Sequence, residues 1–349
     1  MDRHCRVSMQ CTVAAREGQR LEPELDGKEV LVTGAGCVGS RLCHQLITAG
    51  AKVTSLDHDV QRLKQLPDVV RSVAGDVTDP ETVADAIGGC EIVIHTAAAL
   101  DGPAQVQQRT NVVGTRTVVG AAAAADVERF VHLSSIAVYG FPKGPVVTED
   151  LGPNPNGQIY SLTKSEGEAE VRRLAARAGM SYAIIRPAGI FGPGAEYFTG
   201  TYMQRASRRP IVLLGRGHGA LPVVFVDDVV ELSMIAAVRP GAHGEAFNCA
   251  IDPPPTHRQY LEAYATLNGH DDWLGMPMPL ARAIAHLTVP FAKPGTYARQ
   301  LPQNLAQIER YVRYPSAKAL ELLSWKPRFD VASGVEASIP WLRDRGLLS

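Results

Sequence analysis

Tyr160 and Lys164 stand four positions apart, downstream of the serine pair Ser134-Ser135. Side chains spaced i, i+4 share one face of a helix, so phenol and ammonium can meet. A carbonyl that accepts hydride develops negative charge on its oxygen. Ser135 can donate a hydrogen bond to that oxygen, and Tyr160 can deliver the proton or remove it in the oxidative direction. Tyrosine ordinarily ionises at a pH of about 10, and lowering that by about 3 units takes roughly 4 kcal/mol. A cation about 4 Å away, at an effective dielectric of about 20, supplies energy of that order. Lys164 is the expected cation, with an oxidised nicotinamide adding to it.

A second cluster fits a dinucleotide. Gly34-Ala35-Gly36-Cys37-Val38-Gly39 has the form G-x-G-x-x-G and lies between the apolar run Glu29–Thr33 and a helical pattern. Such glycines permit a tight turn and a close approach of backbone to pyrophosphate, and the helix N-terminus offers free N–H groups and a positive dipole end. Asp57, at the end of the second apolar run, is placed to accept hydrogen bonds from a ribose diol. A carboxylate there would repel a 2′-phosphate, which favours NAD over NADP, although Arg62 nearby keeps NADP open. Asp76 and Val77, in Gly75-Asp76-Val77-Thr78-Asp79, are expected at the adenine. The small residues Ala97, Ala98 and Ala99 leave room for the cofactor, and Pro187 is a further expected contact. His95 and His132 lie within strands and read as packed structural histidines.

These residues need a scaffold that presents them along one edge. Glu29–Thr33, Lys52–Leu56, Val69–Ala74, Ile92–His95, Arg129–Ser134 and Tyr182–Arg186 read as buried strands. Helical stretches lie between them near Val38–Ala49, Pro80–Ile87, Gln105–Ala125 and Ile159–Ala178. In the last of these, Glu166, Glu168 and Glu170 come early and Arg172, Arg173 and Arg177 late, which suits the helix dipole, and Gly179 is the expected stop. The alternation predicts an α/β fold with a doubly wound parallel sheet. Residues 1–27 read as a loose tail, 28–186 as the cofactor domain and 187–349 mainly as a smaller substrate lobe. Residues 223–250 are expected to return to the sheet through Ala246–Ala250. The lobe's helical candidates, near Arg258–Leu267, Leu280–Leu287 and Ser316–Leu323, carry no regular strands between them. Leu280, Ile284 and Leu287 form an apolar face suited first to core packing, then to covering a pocket, and last to docking on a membrane surface.

Composition narrows the function classes. The chain has 349 residues, 45% hydrophobic and 20% charged, with a formal net charge of −1, so nothing in its bulk charge attracts nucleic acid or an anionic membrane. Its six cysteines form no C-x-x-C pair and no His-bearing pattern, which speaks against a zinc site or a disulfide framework. Scattered free thiols suit a reducing, cytoplasmic setting. The first residues build no apolar run of signal-peptide length, and no later stretch is apolar for long enough to span a bilayer. No metal is expected.

Taken in order, these motifs resemble the extended short-chain dehydrogenase/reductases, the NAD-dependent epimerase/dehydratase superfamily, over roughly Lys28 to Leu348. Further matches are Asn111-Val112-Val113-Gly114-Thr115, Val138-Tyr139-Gly140, Phe191-Gly192-Pro193, Val226-Asp227-Asp228-Val229 and Trp325-Lys326-Pro327. The resemblance implies a Rossmann domain, a small C-terminal substrate lobe, commonly a homodimer, and catalytic roles for Ser135, Tyr160 and Lys164. One departure is the glycine spacing, which is one residue shorter than the family's usual turn. Others concern the substrate. Nucleotide-sugar members typically carry Asn where this chain has Gly189, and an Arg-Asp pair where it has Leu221-Pro222. Sugar dehydratases place Asp-Glu where Ile136-Ala137 stand. The run from Arg186 to Pro193 is closer to the 3β-hydroxysteroid and sterol dehydrogenases and the dihydroflavonol-reductase-like branch. The expected function is a dehydrogenase or ketoreductase acting on a secondary alcohol or ketone of a largely apolar molecule. The alternatives are a nucleotide-sugar 4-epimerase with tightly bound NAD, which consumes no net cofactor, and a dinucleotide sensor, which would need no proton donor.

Overall fold

Strand alternation sorts the apolar residues of the first half into two cores. In the computed structural model, which describes residues 21–155, 157–291, 304–305 and 307–349, Val30 and Val32 enter one buried cluster and Leu31 enters another. Ile92 and Ile94 likewise join the first, and Val93 the second. Successive side chains of a strand point to opposite faces, so a strand apolar at every position must be covered on both sides. Each such Val, Leu or Ile, fully buried, contributes about 1.5–3 kcal/mol.

Seven parallel strands form the sheet, in the order β10-β6-β5-β4-β1-β2-β3. They are β1 (Glu29–Thr33), β2 (Lys52–Asp57), β3 (Arg71–Ala74), β4 (Ile92–His95), β5 (Arg129–Leu133), β6 (Ser181–Pro187) and β10 (Glu245–Cys249). Leu42, Leu46, Val229 and Val230, from helices Cys37–Thr48 and Val226–Val238, cover one face. Helices Pro80–Ile87, Thr115–Ala124 and Ile159–Ala178 cover the other. This is the expected Rossmann-type sheet. Strand order reverses between β1 and β4, and the crevice beyond the carboxyl ends at such a switch point is where these sheets bind ligands.

Several expectations need correction. The stretch read as one helix over Gln105–Ala125 begins at Ala104 and is interrupted by a π-helical turn at Arg109–Gly114. Asn111 points inward from this turn and bonds the Ala99 peptide on both sides, its amide donating to the carbonyl at 2.9 Å and its oxygen accepting the N–H at 2.8 Å. The third strand starts at Arg71, after an exposed Val69. Strands do occur after Pro187: β7 (Gly189–Phe191) pairs β9 (Val223–Phe225), and β8 (Ile211–Leu214) pairs β11 (Trp273–Met276), all parallel. With three or four residues each, they are too short to show alternation.

Within 223–250, only Glu245–Cys249 joins the large sheet, while Val226–Asp227–Asp228–Val229 opens a helix. Residues 1–20 of the expected tail lie outside the described residues. From Leu21 the chain is packed: Leu25 is buried in the core and Glu24 pairs with Arg239 at 3.0 Å. In the Met278–Thr288 helix, Met278, Ala281 and Ala285 pack inward on Leu305. Leu280, Ile284 and Leu287 are exposed, so they do not fill the core.

Candidate active site

The carboxyl ends of β1 and β4 meet around Thr96, whose hydroxyl donates to the carbonyls of Thr33 at 2.7 Å and Gly34 at 3.0 Å. Gly34 has φ +86°, and a Cβ there would stand 2.8 Å from the Ala97 Cα. At Gly39 a Cβ would fall 1.7 Å from the Gly34 carbonyl oxygen. Only glycine closes this turn. At Gly36, by contrast, an added Cβ would meet nothing nearer than Arg62 Nη1 at 3.8 Å. The Cys37–Thr48 helix begins there with no side-chain cap, so its first N–H groups and dipole face an open cradle. That cradle fits a pyrophosphate.

Asp57 is buried, with one carboxylate oxygen accepting from Ala35 N at 2.6 Å and the other from Asp59 N at 2.8 Å. It therefore ties the glycine turn to the end of β2, at the expected ribose position. Asp76 accepts from Thr78 N at 2.9 Å and pairs with Arg109 at 3.1 Å, with the net effect of holding its carboxyl below the usual range despite burial. Val77 is buried against Gly114. Ala97, Ala98 and Ala99 are half-buried beside β4, and Ala99 is the residue Asn111 holds. Val38 is buried in the first turn of the helix. The Cys37 thiol donates to the Pro193 carbonyl at 3.5 Å, and burial pushes it up to about 12. Pro187 is buried at the end of β6, in register with Cys249 of β10.

Beyond β5 the serine pair divides. Ser134 is buried and donates to Glu168 at 2.6 Å. Ser135 caps the following 3₁₀ turn, accepting from Ala137 N at 3.1 Å, and its hydroxyl lies near enough to the Tyr160 phenol to favour the ionised form. Tyr160 and Lys164 lie in the first turns of the Ile159–Ala178 helix, which ends at Gly179. The Lys164 ammonium donates to the Leu133 carbonyl at 2.5 Å.

The electrostatics differ from the expectation of an acidic phenol. Burial pushes Tyr160 up to about 12, against the lowering effect of Ser135. Burial also brings Lys164 down to about 8, against the pull of Glu168. At both groups the cost of taking the charged form out of water dominates.

Sequence reasoning missed the support beneath them. Glu168 is buried and accepts from Arg186 through two nitrogens, at 2.9 and 2.7 Å. Arg186 also donates to Tyr139 at 2.8 Å, and Tyr139 donates to Asn248 at 2.7 Å. A hydrogen-bonded chain thus runs from the serine pair to the last sheet strand. Spacing held the signal: Tyr160, Lys164 and Glu168 continue one i, i+4, i+8 stripe. Asn111 was the other omission, and it also donates to Thr163 at 3.0 Å.

His95 is buried, bonded to Thr33 at 2.6 Å and Thr115 at 3.0 Å, and held down to about 3 by burial. His132 is buried and stacks on it at 5.5 Å. Both are packing residues, as expected. Among the described residues no cluster of His, Cys, Asp or Glu could hold a metal, and no helix is long and apolar enough to cross a membrane.

The model of the NAD dependent epimerase/dehydratase family matches residues 30–250. The chain belongs to that family. It is an NAD(P)-dependent enzyme of the extended short-chain dehydrogenase/reductase type, and its sequence relatives within the family include sterol enzymes. It is 30% identical to a protein named sterol demethylase protein B from Methylococcus capsulatus, over 91% of this chain and 99% of that one. It is 24% identical to a decarboxylating sterol-4-alpha-carboxylate 3-dehydrogenase of Candida albicans, over 90% and 97%. Among solved structures, an epimerase from Methanothermobacter thermautotrophicus has a TM-score of 0.76 at 25% identity, covering 94% of this chain and 95% of that one. A UDP-glucose 4-epimerase from Thermotoga maritima gives 0.74 at 21% identity, covering 91% and 99%, a likeness of fold alone.

Proposed function

We propose that this family member is an NAD-dependent dehydrogenase or ketoreductase exchanging hydride with a secondary alcohol or ketone on a largely apolar small molecule. One observation carries the reading: Lys164, buried and bonded to the Leu133 carbonyl at the end of β5, brings the start of its helix and Tyr160 up to Ser135, at the sheet edge shared with the glycine cradle. The names of the sterol relatives support the substrate class. Gly34, Gly36 and Gly39 would take the pyrophosphate, with Asp57 at the ribose and Asp76 and Val77 at the adenine. Ala97 to Ala99 and Pro187 would line the groove. The bound nicotinamide supplies the hydride donor or acceptor and, when oxidised, a positive charge. Ser135 orients the substrate oxygen, Tyr160 holds the proton that oxygen gains or loses, and Lys164 sets the phenol's affinity for it. Asp57 favours NAD over NADP by charge repulsion of a 2′-phosphate.

The test is Tyr160→Phe. Turnover of a secondary-alcohol probe should fall at least 1000-fold, the order of a lost proton-transfer group, while NADH affinity in a fluorescence titration stays within about two-fold. Retained turnover would overturn the mechanism, and tighter NADPH binding would overturn the cofactor preference. Conversion of a nucleotide sugar with no net NADH change would favour the 4-epimerase. A homodimer, measurable by light scattering, and a cytoplasmic location complete the reading. The free thiols of Cys37, Cys43, Cys90 and Cys249 are in keeping with that compartment.

A further inference from the structure

β6 hands the chain directly to β7, so Gly189 lies two residues beyond Pro187, at the edge where the serine and tyrosine stand. Its space is taken. A Cβ built on Gly189 would stand 2.5, 2.6 and 2.9 Å from three ring atoms of Phe198. Real Cβ atoms do not approach so closely, so a side chain at 189 and the ring at its present place exclude each other.

Phe198 is held there with unusual care. It lies in a π-helical turn, Glu196–Gly200, of the kind that re-aims side chains at functional sites. Its carbonyl accepts from Tyr260 at 2.7 Å and Tyr264 at 3.4 Å. Next to it, Thr199 accepts from the Gly192 N–H at 2.8 Å, clamping the turn onto the loop after β7. Tyr202 stacks parallel to the ring at 6.2 Å. Yet the ring remains only half-buried, and Leu221 and Ile190 belong to the same apolar cluster. A carbon ring pinned by backbone bonds and partly open presents an apolar wall with no donor for an anionic group.

We infer that the Phe198 ring, seated on Gly189, is the specificity-determining wall of the substrate pocket: it receives the apolar body of the substrate and closes the position to a diphosphate. This rests on the functional reading above.

A double-variant cycle tests it, using dehydroepiandrosterone as the apolar alcohol probe and UDP-glucose as the diphosphate probe. Phe198→Ala should raise the steroid KM at least five-fold with kcat within two-fold. Gly189→Ala should lower the steroid kcat/KM at least ten-fold and lower the thermal midpoint. Gly189→Ala combined with Phe198→Ala should be no worse than Phe198→Ala alone, and NADH affinity should be unchanged throughout. Calorimetry with UDP-glucose should show no binding to the wild type. Additive effects of the two substitutions, an unchanged steroid KM in Phe198→Ala, or UDP-glucose binding to the wild type would each overturn the inference. If the wild type turns over neither the steroid nor any other apolar secondary alcohol, the functional reading fails. The seating of the ring on Gly189 is then still read from the coupling of thermal midpoints, and additive midpoints would sink it separately.

Discussion

Lys164 keeps a charge where water barely reaches, with the Leu133 carbonyl and Glu168 as its support. Burial lowers it from 10.5 to about 8, and the sign of the consequence follows from proton counting. Between those values the unfolded chain binds the proton and the folded chain does not, so stability rises with pH across the window. It is lost as pH falls through the folded value. The gap corresponds to roughly 3 kcal/mol. Lys164→Met should remove this rise, read as the difference between the two proteins in denaturant unfolding from pH 7.5 to 10.5. A parallel slope in wild type and variant would show that the lysine is not the group involved.

The turn between β1 and the Cys37–Thr48 helix separates two kinds of glycine. Gly39 faces the Gly34 carbonyl, where even a methyl overlaps backbone that cannot move. Gly36 faces the open cradle, with only a flexible arginine tip at 3.8 Å. Gly39→Ala should therefore destabilise the protein by several kcal/mol, on the order of the larger single-residue effects, and abolish NADH binding. Gly36→Ala should stay within about 0.5 kcal/mol of wild type and still weaken NADH at least ten-fold, because its methyl stands where phosphate would approach. Thermal unfolding and fluorescence titration separate the two. Equal losses of stability would contradict the geometry. At this scale, too, the π-helical turn at Arg109–Gly114 positions Asn111 against Ala99 and Thr163, a device that an apolar pattern does not reveal.

Over the whole molecule, the C-terminal segment is buckled onto the helix that backs the sheet. Asp228 is fully buried and accepts from the backbone N–H groups of Arg328 at 2.9 Å and Phe329 at 3.2 Å. Trp325 is buried and donates to Glu231 at 3.2 Å, and Arg41 binds Asp227 through two nitrogens. Burial raises Asp228 from 3.8 to about 7. The folded protein then holds a proton that the unfolded chain has released, so this contribution is complete below pH 4 and is lost as pH rises through 7. Its size is roughly 4 kcal/mol. Asp228→Asn, which cannot ionise, should flatten the decline in stability between pH 4 and 7 relative to wild type. An identical pH profile in the variant would refute the assignment.

Local order along the chain determined much of this protein. Fully apolar strands demand cover on both faces, and the glycine turn, Asp57, Ser135, Tyr160 and Lys164 fall at strand ends or a helix start that the sequence itself marks. Only the tertiary structure decided the balance of charge at Tyr160, since desolvation depends on everything packed around a group. The same holds for the split of Ser134 from Ser135, because Glu168 and Arg186 meet across elements 18 positions apart in the chain. It also decided what stands over Gly189. A missing side chain is visible in a sequence, but the ring that fills its space comes from a turn whose path no local pattern encodes.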